Sequence, residues 1–239
     1  MTCVDLETIP TDCRGIDMSL MGGIPLANVT LVYGEEETGK STFAMQCAAN
    51  CAKGGYKTMF VDSERTFSSR RLSQIAPDNF NELSELIILA RPADFHEQAI
   101  IIDQLTEYVN KNFKLVVFDT ITSLYRLQIA ETPSRTFQLN RELNRQLAFL
   151  AQTAKTLKIG VLLTSQVHAV FNEALVSVEP VGTRVLNFWA DVVIALKHTE
   201  DPQIIRAVLE KSPSKPSTTA YDLRIEKSGI HDYPHRYRG

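Results

Sequence analysis

Residues 34–42 read GEEETGKST, and this stretch decides the fold because it fits the pattern G-x-x-x-x-G-K-[ST]. The pattern is informative only when it lies between a strand and a helix. Residues 29–33 form a short β-rich run that predicts a strand, and the residues that follow the loop predict a helix through about Ala52. The stretch therefore predicts a phosphate-binding loop between a strand and a helix, and a chance Gly-Lys-Ser turn is the weaker reading.

The residue types of this loop suit a nucleoside triphosphate. Glycine lets backbone amides approach phosphate oxygens, and the start of the helix supplies positive potential. Lys40 is expected to reach the terminal phosphates, and Ser41 is expected to ligate Mg²⁺. The three consecutive glutamates, Glu35 to Glu37, carry like charges that weaken anion binding unless they point into solvent, so we expect modest affinity for ATP. The residues expected to bind ATP are Gly34, Glu35, Glu36, Glu37, Thr38, Gly39, Lys40, Ser41 and Thr42.

Polar residues at the ends of other predicted strands extend the site. Residues 114–119 (KLVVFD) predict a strand that ends in Asp119, which we expect to hold Mg²⁺ rather than only cap the next turn. Glu64 follows the strand at 57–62 and is the predicted catalytic base, with a solvated loop acid as the alternative. Gln166 follows the strand at 161–164 and is expected to sense the γ-phosphate, although a surface glutamine is the ordinary reading.

Strand and helix patterns alternate along the rest of the chain. Helices are predicted at 94–112 and at 137–157, where leucines repeat at steps of three and four. The alternation predicts an α/β fold with a mainly parallel twisted sheet, helices on both faces and antiparallel strands at the carboxyl end. Ligands should gather at the carboxyl ends of the strands. Further strands are predicted at 86–90, 192–196, 205–210 and 220–225.

Composition narrows the class of protein. With 239 residues, 44% hydrophobic and 22% charged, the chain suits one folded domain, with residues 1–28 as an irregular lead-in. A net charge of −3 provides no global field for nucleic acid. No leader and no membrane-spanning run is evident, so we expect a soluble, cytoplasmic protein. Buried thiols are expected rather than a metal site at Cys3, Cys13, Cys47 and Cys51.

Several segments together resemble the archaeal RadB proteins, paralogues of the RecA and RadA recombinases, over nearly the whole chain. These segments are VYGEEETGKST, FVDSERTFSSRRL, LVVFDTITSLYR, NRELNRQL, TSQV and LEKSPSKPSTTAYDLRIEKSGI. The resemblance implies a RecA-like ATPase core without a separate amino-terminal helical domain, weak ATP hydrolysis, DNA binding without strand exchange, and a recombination-accessory role. It carries ATP and Mg²⁺ contacts onto the loop and Asp119, water activation onto Glu64 and sensing onto Gln166. Arg65 departs from the glycine that often follows the catalytic glutamate, which argues against brisk turnover.

The resemblance also places two DNA-facing loops at residues 127–138 and 167–186. They contain Arg135 and Arg184, and His168 and Phe171 are candidates for backbone contact or base stacking. Single-stranded DNA and a RadA-type recombinase are the implied partners, and a homo-oligomer stays open. A solvated basic face is the alternative for these residues. For the whole chain the alternatives are a KaiC-like regulatory ATPase and a nucleotide-controlled partner-binding module, neither of which requires DNA.

Overall fold

A computed structural model of the chain describes residues 7–166, 181–213 and 218–233, with side chains from residue 184 onward in the second range. The strands are β1 (Thr8–Ile9), β2 (Ile24–Pro25), β3 (Val29–Gly34), β4 (Lys57–Asp62), β5 (Ile87–Ala90), β6 (Phe113–Asp119), β7 (Gly160–Gln166), β8 (Val192–His198), β9 (Ile204–Lys211), β10 (Thr219–Glu226) and β11 (Gly229–Asp232). The helices are α1 (Arg14–Ser19), α2 (Lys40–Lys53), α3 (Ser69–Ile75), α4 (Phe80–Ser84), α5 (Phe95–Asp103), α6 (Leu105–Tyr108), α7 (Ser123–Glu131), α8 (Thr136–Leu157) and α9 (Val181–Trp189), with a 3-10 helix at Pro133–Arg135.

The main sheet has the strand order β11-β10-β9-β8-β3-β7-β6-β4-β5. The strands from β8 to β5 in this order are parallel, and β9, β10 and β11 add antiparallel pairs at the other end. Strand β3 therefore has a parallel neighbour on each side, and its carboxyl end opens at the middle of the sheet. This arrangement confirms the predicted mainly parallel sheet with an antiparallel carboxyl-terminal part.

Apolar side chains on both faces of the sheet explain why its central strands are continuously apolar. In β6, Leu115 and Val117 belong to a core that includes residues of α2, whereas Val116 and Phe118 belong to a core that includes residues of α5 and α8. All four side chains are fully buried. Each face of a central strand must therefore be apolar, which removes the alternation of a half-exposed strand.

The predicted strands agree with the observed ones to within one or two residues, but two local expectations are wrong. The helix predicted at 94–112 is divided into α5 and α6 around Gln104. The helices predicted on both faces of the sheet imply that β5 is covered on both sides, yet Ile88 is 40% exposed and Leu89 is 38% exposed. Strand β5 is the edge of the sheet, so neighbouring elements cover it less completely than they cover a central strand.

Residues 7–28 are more regular than the predicted lead-in. Strands β1 and β2 pair antiparallel, and α1 lies between them. The carboxylate of Asp232 accepts hydrogen bonds from the backbone amides of Arg14 (2.6 Å) and Gly15 (3.1 Å) at the start of α1. Ile9 and Ile24 are fully buried in the same core as α2. The prediction failed because these elements are held by distant parts of the chain, which local turn residues do not reveal.

The two predicted DNA-facing loops also need correction. Residues 127–131 continue helix α7, and Arg135 ends the 3-10 helix directly before α8. Helix α7 forms because it packs on the core through the buried side chains of Leu124 and Tyr125. Residues 181–189 form α9, which buries Leu186, whereas residues 167–180 lie outside the described part of the chain.

Two further predictions concern the state of the cysteines and the absence of a membrane-spanning segment. Cys13, Cys47 and Cys51 are free, fully buried thiols, while Cys3 lies outside the described residues. Burial raises the pKa of the Cys51 thiol to about 11, so it stays protonated at neutral pH. Among the helices that the structure describes, none combines the length and apolar character needed to cross a membrane.

Candidate functional site

The predicted phosphate loop connects the end of β3 to the start of α2. A Cβ atom on Gly34 would lie 2.2 Å from the carbonyl oxygen of Leu196, so this position has no room for a side chain. Gly39 is the N-cap of α2 and has a φ of 86°, in the left-handed region that favours glycine. A Cβ atom there would also lie 3.0 Å from Cδ1 of Ile230. Both glycines are thus required by the path of the loop.

Lys40 points its amine into the loop rather than into solvent. Its Nζ donates a hydrogen bond to the carbonyl oxygen of Glu35, which also accepts from Oγ1 of Thr38 at 2.8 Å. The residue is only 6% exposed. Burial lowers the pKa of Lys40, and the nearby carboxylates of Asp119 and Glu64 oppose this shift. The loop therefore holds the Lys40 amine in a position from which its N–H groups can donate hydrogen bonds to phosphate oxygens instead.

Asp119 and Ser41, the two residues predicted to hold Mg²⁺, lie close together. Oδ1 of Asp119 accepts a hydrogen bond from Oγ1 of Thr164 at 2.5 Å. Burial raises the pKa of Asp119, while the side chains of Thr164 and Ser41 and the charge of Lys40 oppose the rise. Hydroxyl and carboxylate oxygens are the ligands that Mg²⁺ prefers. The donor set at this point fits the ion.

Glu64 lies just beyond β4 and is half-buried. Its Oε1 accepts a hydrogen bond from Oγ1 of Thr120 at 3.1 Å. Burial raises the pKa of Glu64, and the charge of Asp119 acts in the same direction, whereas Thr120, Lys40 and Arg126 oppose it. A carboxylate with a raised pKa is a better proton acceptor than an ordinary one.

One cavity of about 330 Å³ joins most of the residues predicted for the ATP site. A second cavity, of about 540 Å³, shares Thr42 and Ile225 with the first and is also lined by Arg71, Gln203, Arg224, Glu226 and Lys227. The two cavities together extend from the phosphate loop to the β10–β11 hairpin. The residues that line the smaller cavity are Glu36, Glu37, Gly39, Lys40, Ser41, Thr42, Glu64, Thr120, Gln166 and Ile225.

The glutamates of the loop are exposed to solvent. Glu35, Glu36 and Glu37 all lie on the surface, although Glu36 and Glu37 also border the cavity. Nε2 of His198 is 2.8 Å from the carbonyl oxygen of Glu36 and 3.9 Å from Oε2 of Glu35. Solvent screens exposed charges, so their repulsion of a bound anion is weaker than the sequence suggests.

The residues predicted to contact DNA are only partly described. Arg135 is exposed and its Nε donates to Oε1 of Gln138 at 3.1 Å, and Arg184 is exposed on α9. His168 and Phe171 lie outside the described residues. Arg145, on the neighbouring helix α8, is paired at 2.7 Å with both Asp103 and Glu142, so its charge is already compensated.

Sequence reasoning missed the exposed aromatic residues beside these arginines. Phe137 is 73% exposed two positions after Arg135, and Phe188 is 75% exposed four positions after Arg184 on α9. Residues four apart on a helix share a face. Nε1 of Trp189 donates to Oδ1 of Asn144 at 2.9 Å and holds α9 against α8. The available signal was the spacing of Arg and Phe in the sequence, two positions apart at 135–137 and four apart at 184–188.

Known proteins resemble the chain over most of its length. The family model described as Rad51 matches residues 4–233. The DNA repair and recombination protein RadB of Thermococcus onnurineus strain NA1 is 34% identical over 227 residues, covering 94% of this chain and 97% of the relative. The RadB protein of Methanobrevibacter smithii is 30% identical over 230 residues, covering 95% and 96%. A solved structure described as the RadB recombinase has a TM-score of 0.78 and 31% identity, covering 95% of this chain and all of that one.

Proposed function

We propose, from the premise that this chain belongs to the Rad51 family and within it to the RadB DNA repair and recombination proteins, that it is a slow Mg²⁺-dependent ATPase that binds single-stranded DNA. The observation that carries the ATPase proposal is the shared cavity, where Lys40, Ser41, Glu64 and Gln166 meet and Asp119 lies close to Ser41. Each residue type matches one requirement of phosphoryl transfer to water.

In this proposal the loop amides and Lys40 bind the phosphates of ATP. Lys40 leaves the carbonyl oxygen of Glu35 and donates to the terminal phosphate oxygens, which carry more charge. Ser41 and Asp119 hold Mg²⁺, which neutralises charge on the β- and γ-phosphates when it is bound. Glu64, held by the Thr120 hydroxyl, accepts a proton from the attacking water.

The remaining site residues extend this mechanism. Gln166 borders the same cavity as Lys40 and is proposed to sense the γ-phosphate through its amide. The larger cavity beyond Thr42 is proposed to take the ribose and base, because it adjoins the phosphate cavity at Thr42 and Ile225. The exposed carboxylates of Glu36 and Glu37 still border the phosphate cavity, so a screened repulsion remains and favours modest affinity for ATP.

Single-stranded DNA is proposed to bind through local surface features, since the net charge of the chain is −3. Arg135 and Arg184 supply charge for phosphates, and the exposed Phe137 and Phe188 supply faces on which bases can stack. His168 and Phe171 remain part of the proposal. Such contacts carry little base information, so binding should show slight sequence preference. The protein would then act beside a RadA-type recombinase, without strand exchange of its own.

Nucleotide titration of a Lys40→Ala variant tests the ATP site directly. Losing a charged hydrogen bond to phosphate costs about 1.5–3 kcal/mol, which corresponds to roughly 10- to 150-fold in affinity for Mg²⁺·ATP. The measurement is fluorescence titration with a labelled ATP. Lys53→Ala, at the exposed end of the same helix, is the matched control and should bind like the wild type. Unchanged affinity in a folded Lys40→Ala protein would refute the site.

A further inference from the structure

A fully buried amide on α5 lies behind the predicted catalytic residues. The buried face of this helix is otherwise apolar around Gln98, with Phe95, Ala99 and Ile102. Gln98 has no exposed surface. A buried amide is unfavourable unless its donors and acceptor are all hydrogen bonded, so packing alone favours an apolar residue at this position.

All the polar atoms of Gln98 have partners. Its Oε1 accepts from Oγ of Ser63 at 3.3 Å. Its Nε2 donates to the carbonyl oxygen of Ile121 at 3.2 Å and to Oε1 of Gln146 at 3.0 Å. One amide therefore links the segment that follows β4 to the segment that follows β6.

The two linked segments carry the predicted base and the residue that holds it. Ser63 directly precedes Glu64, and Ile121 directly follows Thr120. The backbone amide of Ser63 also donates to the carbonyl oxygen of Asp119 at 2.9 Å. The distance between the Glu64 carboxylate and the Thr120 hydroxyl thus depends on how these segments are held together, and Gln98 bonds to both.

The segment after β6 is also held by β7. The backbone amide of Ile121 donates to the carbonyl oxygen of Thr164 at 3.1 Å, and Oγ1 of Thr122 lies 3.0 Å from Oγ of Ser165. Ser165 is the neighbour of Gln166 in β7. Gln98 and β7 therefore both fix this segment, and the β4 segment is fixed with it through Ser63.

We propose that Gln98 is a positioning residue for ATP hydrolysis. It holds the segments of Glu64 and Thr120 at the separation that aims the Glu64 carboxylate at the attacking water. The inference rests on the proposed ATPase function and adds to it a residue of a helix that lies behind the cavity. Loss of the bridge lets the carboxylate move, and a displacement of about 1 Å can lower a rate by roughly 10²-fold.

A comparison of Gln98→Met with Gln146→Met tests this role. Both glutamines are fully buried and share one hydrogen bond, but Gln146 otherwise bonds to Glu142 on its own helix, at 3.2 Å. Single-turnover hydrolysis is measured with protein in excess over Mg²⁺·ATP. Gln98→Met should lower the rate constant by about tenfold or more with affinity for Mg²⁺·ATP unchanged, whereas Gln146→Met should keep its rate within about twofold.

A smaller change guards against a variant that does not fold. Ser63→Ala removes one of the bonds to Gln98 and should lower the rate constant in the same direction by less. If the wild type hydrolyses ATP too slowly for a rate, affinity for ADP with aluminium fluoride replaces it. This complex mimics the transferring phosphoryl group and its water, so Gln98→Met should weaken it more than it weakens ADP alone.

The outcomes separate this inference from the proposed function. Two outcomes would overturn the positioning role alone. One is an equal hydrolysis rate for Gln98→Met and Gln146→Met. The other is a wild-type rate in a folded Gln98→Met protein when the separate Glu64→Gln variant is inactive. A wild type that neither hydrolyses ATP nor binds the aluminium fluoride complex would overturn the proposed function, and the positioning role with it.

Discussion

Gln46 on α2 connects three parts of the molecule, and its replacement by leucine should destabilise the fold strongly. The residue is 1% exposed. Its Nε2 donates to the carbonyl oxygens of Thr11 at 2.6 Å and Ile230 at 2.8 Å, and its Oε1 accepts from the amide of Ile230 at 2.7 Å. The side chain therefore joins the phosphate-loop helix to the amino-terminal segment and to the β10–β11 hairpin.

The expected magnitude follows from these bonds. Leucine has similar volume but no donors or acceptors, so Gln46→Leu leaves the amide and carbonyl of Ile230 and the carbonyl of Thr11 without this partner. Each unsatisfied buried group costs about 1–3 kcal/mol, and burial of an apolar side chain offsets part of the total. A net loss of roughly 3 kcal/mol lowers the melting temperature of a chain of this size by about 6–12 °C.

Thermal unfolding followed by circular dichroism measures this effect, with urea unfolding for the free energy. The control is Gln152→Leu, which makes the same chemical change at an exposed position of α8. Surface substitutions usually stay within about 0.5 kcal/mol. A melting temperature for Gln46→Leu within about 2 °C of the wild type would refute the claim that this amide holds the three parts together.

Further predictions concern catalysis and DNA. Glu64→Gln should keep Mg²⁺·ATP binding and reduce single-turnover hydrolysis by roughly 10²-fold, and an unaltered rate would exclude Glu64 as the base. Burial raises the pKa of Glu64, and the base must be ionised to accept a proton. As the pH is lowered, the hydrolysis rate should therefore begin to fall at a pH above the usual pKa range of glutamate. A constant rate in that pH interval would contradict this. In fluorescence anisotropy, the double variant Arg135→Ala with Arg184→Ala should bind a single-stranded oligonucleotide more weakly, and the slope of log affinity against log salt concentration should fall by about 0.7 per lost phosphate contact. The control variant Arg206→Ala should show neither change. Wild-type-like binding in the double variant would place the DNA site elsewhere.

The sequence predicts which residues meet at the carboxyl edge of the parallel strands because the rule involved is geometric. Parallel strands end at the same edge of a sheet, so residues that follow different strands meet there without any knowledge of the contacts between them. Lys40, Glu64 and Gln166 lie far apart in the chain and still border one cavity. The motif at residues 34–42 identified the edge, and strand ends supplied the other residues.

Other features depend on tertiary contacts that a single sequence does not display. Gln98 is an ordinary helix residue in the sequence, and only the fold brings its amide between Ser63 and Ile121. Arg65 departs from the glycine of the resemblance, and the structure shows why glycine suits this position. The φ of Arg65 is 59°, in a region that glycine adopts without strain. Residues 127–131 and 181–186 fall within the loops that the resemblance predicts, and they are helical because they pack against surfaces that the sequence does not display.

The antiparallel end of the sheet gives the carboxyl-terminal strands a part in the proposed nucleotide site. A Cβ atom on Gly39 would meet Ile230 at 3.0 Å and Ile225 at 3.2 Å, so the hairpin lies directly against the phosphate loop. Arg71 of α3 donates to the carbonyl oxygens of Glu226 at 2.8 Å and Lys227 at 2.7 Å, which fixes its guanidinium on the wall of the larger cavity. A parallel sheet ending at β8 would leave the loop open on this side. The hairpin closes this side of the loop, and the side-chain amide of Gln46 on α2 is hydrogen bonded to the hairpin there. A substitution that displaces the hairpin should therefore also disturb the phosphate loop.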